Sequence, residues 1–207
     1  MLLLALHSSV TFATPLAQTL GVQKITLLVH GDSLSAAYGM ERDDGWVALL
    51  QKAQPQLNVV NSSISGETTS GGKQRLPKLM ETYRPDILIL ELGANDALRG
   101  QNLKTTERNL QAMIDRCLAA QCTPVLLGIR LPTNYGPAYE RMLQKMYADL
   151  AEKNAVAFDP FFIEPVALDP DLMQLDGLHP NAQAQVQIYQ RVWALIQPLL
   201  ESRNAGL

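Results

Sequence analysis

Ser33 stands where the apolar run Leu27–Val29 gives way to HGDSLS, and a serine in such a place raises the question of a nucleophile. A serine hydroxyl is almost wholly protonated at neutral pH and needs a base before it can attack. The chain offers three histidines, His7, His30 and His179. His179 lies in DGLHPN, with Asp176 three residues before it. Across a tight turn that offset lets the carboxylate reach the ring Nδ1–H, which fixes the tautomer and leaves Nε2 to take a proton from Ser33. A plainer reading has Asp176 and His179 capping a terminal helix, with Pro180 in its first turn.

Acyl transfer also needs donors aimed at the oxygen on which negative charge develops. Three candidates follow apolar runs: the Ser33 N–H, the N–H of Gly66 in SISGET, and the side-chain amide of Asn95 in GAND. Each has a bland alternative. Gly66 could simply supply positive φ, and Asn95-Asp96 could form an ordinary Asx turn. Their joint presence with Ser33 and His179 favours one site. His30, three positions from Ser33, is expected to be a buried, hydrogen-bonded histidine and not a second base. Ser35 is expected only to satisfy the turn.

The 207 residues suit a single domain, expected over residues 23–203. With 17 basic residues scattered against 20 acidic ones and a net charge of −3, the chain lacks the basic face that nucleic-acid binding requires. Residues 1–22, apolar and rich in small side chains, read as a secretory signal or a disordered leader, with cleavage near Ala13 or Ala17. The expected location is therefore periplasmic or secreted, and cytoplasmic if the leader is retained. No later segment approaches the roughly 20 apolar residues of a membrane span, so stable membrane insertion is not expected. Cys117 and Cys122 lack metal-site spacing and are read as two ordinary semi-buried thiols, a local disulfide being the alternative in an exported protein.

Short apolar runs alternate with stretches of helical period. Strands are expected at Lys24–His30, Leu57–Asn61, Asp86–Leu92, Pro124–Ile129 and Ala155–Phe158. Helices are expected near Gly45–Gln54, Thr68–Tyr83, Thr105–Ala120 and Pro137–Asn154, and after His179. In the last of these Val186, Tyr189, Val192, Trp193, Ile196 and Leu200 form an apolar stripe. Near-continuous apolar strands imply burial on both faces, and the β-α alternation implies an α/β protein with a parallel sheet and right-handed crossovers. Ligands of such sheets bind beyond the strand carboxyl ends, which collects Ser33, Gly66 and Asn95 at one edge.

In order and spacing, GDSLS, the glycine of SISGETTSGG, GAND and DGLHPN resemble the four signature blocks of the SGNH or GDSL hydrolase family. VNSSISGETTSGG, RLPKLM, ELGANDALRG, IRLPTNYG and DPFF look like its bacterial group of thioesterase I, lysophospholipase and arylesterase enzymes, over roughly Ile25 to Leu199. The resemblance implies a three-layer, flavodoxin-like α/β/α sandwich with five parallel strands in order 2-1-3-4-5. It implies hydrolysis of esters and thioesters through an acyl-serine, with Ser33, His179 and Asp176 as the triad and Ser33, Gly66 and Asn95 around the oxyanion. It also implies a substrate-binding loop at Arg130–Gly136, with no metal or organic cofactor. Leu34, Leu131, Pro132, Met173 and Leu178 are candidates for the walls of an acyl pocket. The expected partner is a small acyl ester or thioester, and the expected state a monomer. One departure is His30, where relatives more often carry an aliphatic or small residue. The turn is also not the G-x-S-x-G elbow of α/β-hydrolases.

Two rival readings come from other classes. HGD and GAND superficially suggest a metal-dependent phosphoesterase, but a two-metal site usually calls on several histidines, and outside the leader only His30 and His179 remain. A non-catalytic ligand-binding module on the same fold is the second. Its phosphate-cradling form would want a Gly-rich first loop that HGDSLSAAYG does not supply.

Overall fold

The computed structural model describes residues 24–205, and the candidate leader with His7 lies outside them. Five strands, β1 (Thr26–Gly31), β2 (Asn58–Asn61), β3 (Ile87–Glu91), β4 (Thr123–Leu127) and β5 (Ala157–Asp159), form one sheet in the order β2-β1-β3-β4-β5. Every pairing is parallel, and the β1–β3 register sets His30 beside Leu90 and Gly31 beside Glu91. Leu27, Leu28, Val29 and Ile87–Leu90 are fully buried, as helices on both faces require.

The helices are α1 (Trp46–Ala53), α2 (Thr69–Tyr83), α3 (Ala94–Leu98), α4 (Leu103–Ala119), α5 (Pro137–Asn154), α6 (Glu164–Ala167) and α7 (Gln185–Ala205). α1 packs on α7 in one layer, while α2 and α5 flank α4 in the other. Local signals explain their starts. Thr68 accepts from the Gly71 N–H at the head of α2, Asn102 accepts from Lys104 N–H at the head of α4, and Pro137 opens α5.

Three expectations need correction. The final helix does not begin at Pro180: a 3₁₀ turn at Ala182–Ala184 precedes α7, and Asn181 caps it by accepting from the Gln183 and Ala184 N–H groups. On α7 the fully buried positions include Ile188 and Ile196, with Val192 almost so, whereas Val186 is half exposed and leaves the expected stripe. β5 begins two residues later than expected, because Ala155 is the left-handed C-cap of α5.

Cys117 and Cys122 form a disulfide, not two thiols. The chain reverses at the end of α4, with Gln121 at φ 58° and the Cys122 N–H donating to the Cys117 carbonyl at 3.0 Å, which leaves the two Cα atoms 4.8 Å apart. A bridge over so short a loop constrains the unfolded chain modestly. The Cys117→Ser/Cys122→Ser double variant is expected to lose about 2 kcal/mol of stability, read as a lower denaturant midpoint with an unchanged m-value.

Candidate active site

The turn carrying Ser33 leaves the carboxyl end of β1. The Asp32 carbonyl accepts from Ser35 and Ala36 N–H groups, and the Asp32 side chain accepts from Leu34 N–H at 3.1 Å, so Ser33 opens a helical turn. Glu91, at the end of β3, reaches under this turn and accepts from the Asp32 N–H at 3.1 Å and the Ser35 hydroxyl at 2.8 Å. Gly31 is what permits the approach, since a Cβ there would stand 2.5 Å from Glu91 Oε2 and 2.9 Å from Ser35 Oγ.

After β2 the chain stays in register with the edge of β1: Ser63 Oγ accepts from Gly31 N–H, and Ile64 N–H donates to the Gly31 carbonyl at 3.1 Å. This places the loop bearing Gly66, which adopts φ +78°, across from Ser33. Among the described residues no acceptor engages the N–H of Ser33 or of Gly66. Asn95, in the first turn of α3, donates one side-chain N–H to Asp32 Oδ2 at 3.0 Å. The second N–H of that amide is then free for the cavity that Ser33, Gly66 and Asn95 line together.

His179 comes from a loop before α7. Its carbonyl accepts from Gln174 N–H at 2.7 Å, and the Gln174 side chain donates to the carbonyls of Tyr38 and Pro180. Its Nε2 lies 2.8 Å from Ser33 Oγ and its Nδ1 2.7 Å from Asp176 Oδ2. Tyr38 covers the imidazole, ring centroids 4.5 Å apart. Asp176 Oδ1 accepts from the Leu178 and His179 N–H groups. Partial burial opposes its charge, but those two donors and the imidazole outweigh that cost and hold the carboxyl down at about 2. Because Asn181 caps the following helix, the Asp176–His179 pair is released from the capping role and bound to Ser33 instead.

His30 is fully buried on the opposite side of β1, its Nε2 2.9 Å from the Gly72 carbonyl and its Nδ1 3.0 Å from Ser62 Oγ. Burial pushes its pKa down, as for a neutral core imidazole. Ser35 does more than complete the turn, since its hydroxyl is a donor to Glu91.

Two cavities meet at the site. One of about 220 Å³ holds Ser33, Gly66, Asn95 and His179, with Leu34 in its wall. Beside it a mainly apolar cavity of about 580 Å³ is lined by Phe161, Ala167, Leu168 and Met173 among others, and Leu131, Pro132 and Leu178 belong to both. All five expected wall residues thus border one cavity or the other. Tyr38, Leu98, Ile129 and Ile163 were not anticipated, because isolated apolar residues in loops or at the end of a one-turn helix carry no periodic signal.

Residues 29–186 match the model of the GDSL-like lipase/acylhydrolase family. The chain belongs to this family. It is 44% identical over 179 residues to Esterase TesA of Pseudomonas aeruginosa, covering 84% of this chain and 89% of the relative. It is also 44% identical over 176 residues to Thioesterase 1/protease 1/lysophospholipase L1 of Escherichia coli, covering 84% and 85%. A crystal structure of TesA superposes with a TM-score of 0.82 at 43% identity, over 84% of this chain and 99% of that one.

The low Asp176 pKa fixes the sign of a pH effect. A carboxyl depressed on folding contributes stability above its unfolded pKa and loses it as the pH falls through the folded value. Asp176→Asn is expected to be slightly less stable than the wild type at pH 7, the effect being small because the group is partly exposed. The difference should vanish in thermal melts taken from about pH 5 down to about pH 2.

Proposed function

We propose that this protein is a serine esterase that cleaves acyl esters and thioesters through a covalent acyl-serine, with Ser33, His179 and Asp176 as its triad. The observation that carries the assignment is the unbroken contact from Ser33 Oγ through His179 to Asp176, facing two unengaged N–H groups and the Asn95 amide.

Ser33 Oγ attacks the acyl carbonyl carbon while its proton passes to His179 Nε2. The carbonyl oxygen becomes an oxyanion and takes hydrogen bonds from the Ser33 and Gly66 N–H groups and from Asn95. Collapse breaks the bond to the alcohol or thiol, which leaves with the Nε2 proton. Water then adds to the acyl carbon, giving its proton to Nε2, and the second collapse returns Ser33 and a carboxylic acid. Asp176 holds the ring orientation and stabilises the imidazolium.

The larger apolar cavity suits an acyl chain, with Leu131, Pro132 and Leu178 at its junction with the reacting centre. Thioester cleavage and lysophospholipid cleavage are supported by the name of the 44% identical Escherichia coli relative, and ester cleavage by that of the Pseudomonas aeruginosa one. Export is supported by the apolar leader and by the disulfide, which persists in oxidising compartments. Among the described residues no helix is long and apolar enough to cross a membrane. In an exported enzyme, lysophospholipids or other short esters are the natural substrates, and acyl-CoA reports capability only.

Turnover of p-nitrophenyl esters of increasing chain length, acyl-CoA and lysophospholipid, with fluorophosphonate labelling, tests the assignment. Ser33→Ala is expected to abolish labelling and to lower kcat about 10⁵-fold or more, and Asp176→Asn to lower kcat about 10³- to 10⁴-fold. Labelling that persists in Ser33→Ala would reject the nucleophile, and wild-type kcat in Asp176→Asn would reduce the acid to a structural role.

A further inference from the structure

We propose that Glu91 keeps a proton on Oε1 at neutral pH and donates it to the Asp32 carboxylate, and that this shared proton makes Glu91 a positioning residue for Asn95. The inference rests on the esterase reading above, because it concerns the oxyanion donors of that site.

Both carboxyl groups are fully buried. Among the described residues neither is paired with a lysine or arginine. Two adjacent carboxylates with no cation in a dry site cannot both stay ionised. The donors around them say where the proton sits. Glu91 Oε2 is taken by the Asp32 N–H and the Ser35 hydroxyl. Asp32 Oδ1 is taken by the Leu34 N–H, and Oδ2 by the Asn95 amide. Glu91 Oε1 alone has no donor, and it is one of two buried side-chain polar atoms without a partner among the described residues. The two carboxyls lie within hydrogen-bonding reach of each other. A proton on Oε1 therefore gives the one unpartnered oxygen of the pair a role, whereas a proton on either Asp32 oxygen would compete with an N–H already there.

Burial, with the Asp32 charge beside it, lifts the Glu91 pKa well above the ordinary carboxyl range. Burial also lifts Asp32, to about 6, while the Leu34 N–H, Glu91 and the Asn95 amide pull it back toward the charged form. The other titratable groups facing the pair are the buried Tyr147 phenol on α5 and, toward Asp32, His179. Tyr147 donates to the Leu92 carbonyl and leaves the pair's proton alone. With Asp32 held as an acceptor, one Asn95 N–H is fixed and the other is aimed at the oxyanion.

Infrared spectroscopy of the full chain at pH 7 reads the proton directly. Wild type and Ser33→Ala are expected to show the carbonyl stretch of a protonated buried carboxyl, and Glu91→Gln to lose it. Because the band does not depend on turnover, an error in the nucleophile would leave it in place. Glu91→Gln, whose amide can still donate to Asp32, should retain kcat within about threefold. Glu91→Ala should lower kcat about 10- to 100-fold with little change in KM. A pKa raised on folding costs stability as pH climbs above the unfolded value. The Tm of Glu91→Gln should thus gain on that of the wild type from about pH 4 to about pH 8. Absence of the band in wild type, its persistence in Glu91→Gln, a flat Tm difference, or equal kcat losses in Glu91→Gln and Glu91→Ala would each overturn the proposal.

Discussion

The turn that presents Ser33 hangs from the middle of the sheet by a carboxyl group that never meets water. Glu91 ends an otherwise wholly apolar strand, and its Oε2 gathers the Asp32 N–H and the Ser35 hydroxyl, one on each side of Ser33 in sequence. Placing a carboxyl there costs desolvation, and the two close donors on Oε2 offset part of that cost. The glycine at position 31 is the condition for that closeness. The GDS sequence is in this sense the imprint of a residue 59 positions downstream of Asp32.

The groups proposed to react divide by the rigidity of what holds them. Ser33, Gly66 and Asn95 are tied to strands β1, β2 and β3 or to one another across them. Oxyanion stabilisation depends on donors that do not reorganise during reaction, so the sheet is the appropriate mount. His179 and Asp176 lie on a loop, and it is knit by backbone: Met173 bridges Pro180, Gln174 takes the His179 carbonyl, and Asn181 binds back to Leu172 and Asp171. That knitting sets the 2.8 Å approach of Nε2 to Ser33.

Much of this was legible in the residues. Uninterrupted apolar runs marked the strands of a doubly covered sheet, and the polar residues directly after them were the ones that gather at its carboxyl edge. The strand order, by contrast, came through family resemblance, since periodicity says nothing about which strands are neighbours. Glu91 was hidden inside DILILEL, where a single acid reads as an interruption of the apolar pattern and nothing in its spacing points to Ser35 or Asp32. The disulfide was hidden for a related reason: it depends on a left-handed residue at Gln121, which propensity does not foresee. Tyr38 lies against His179, its ring tilted on the imidazole, from 141 positions away, a contact that only the closed fold creates.

The Cys117–Cys122 bridge joins the end of α4 to the chain entering β4, and so it lies at the amino edge of the sheet. Every group assigned to chemistry lies at the opposite, carboxyl edge, with the strands between. Redox state and turnover are therefore separable quantities in this molecule. A reducing environment would change how many copies are folded, and leave each folded copy as competent as before.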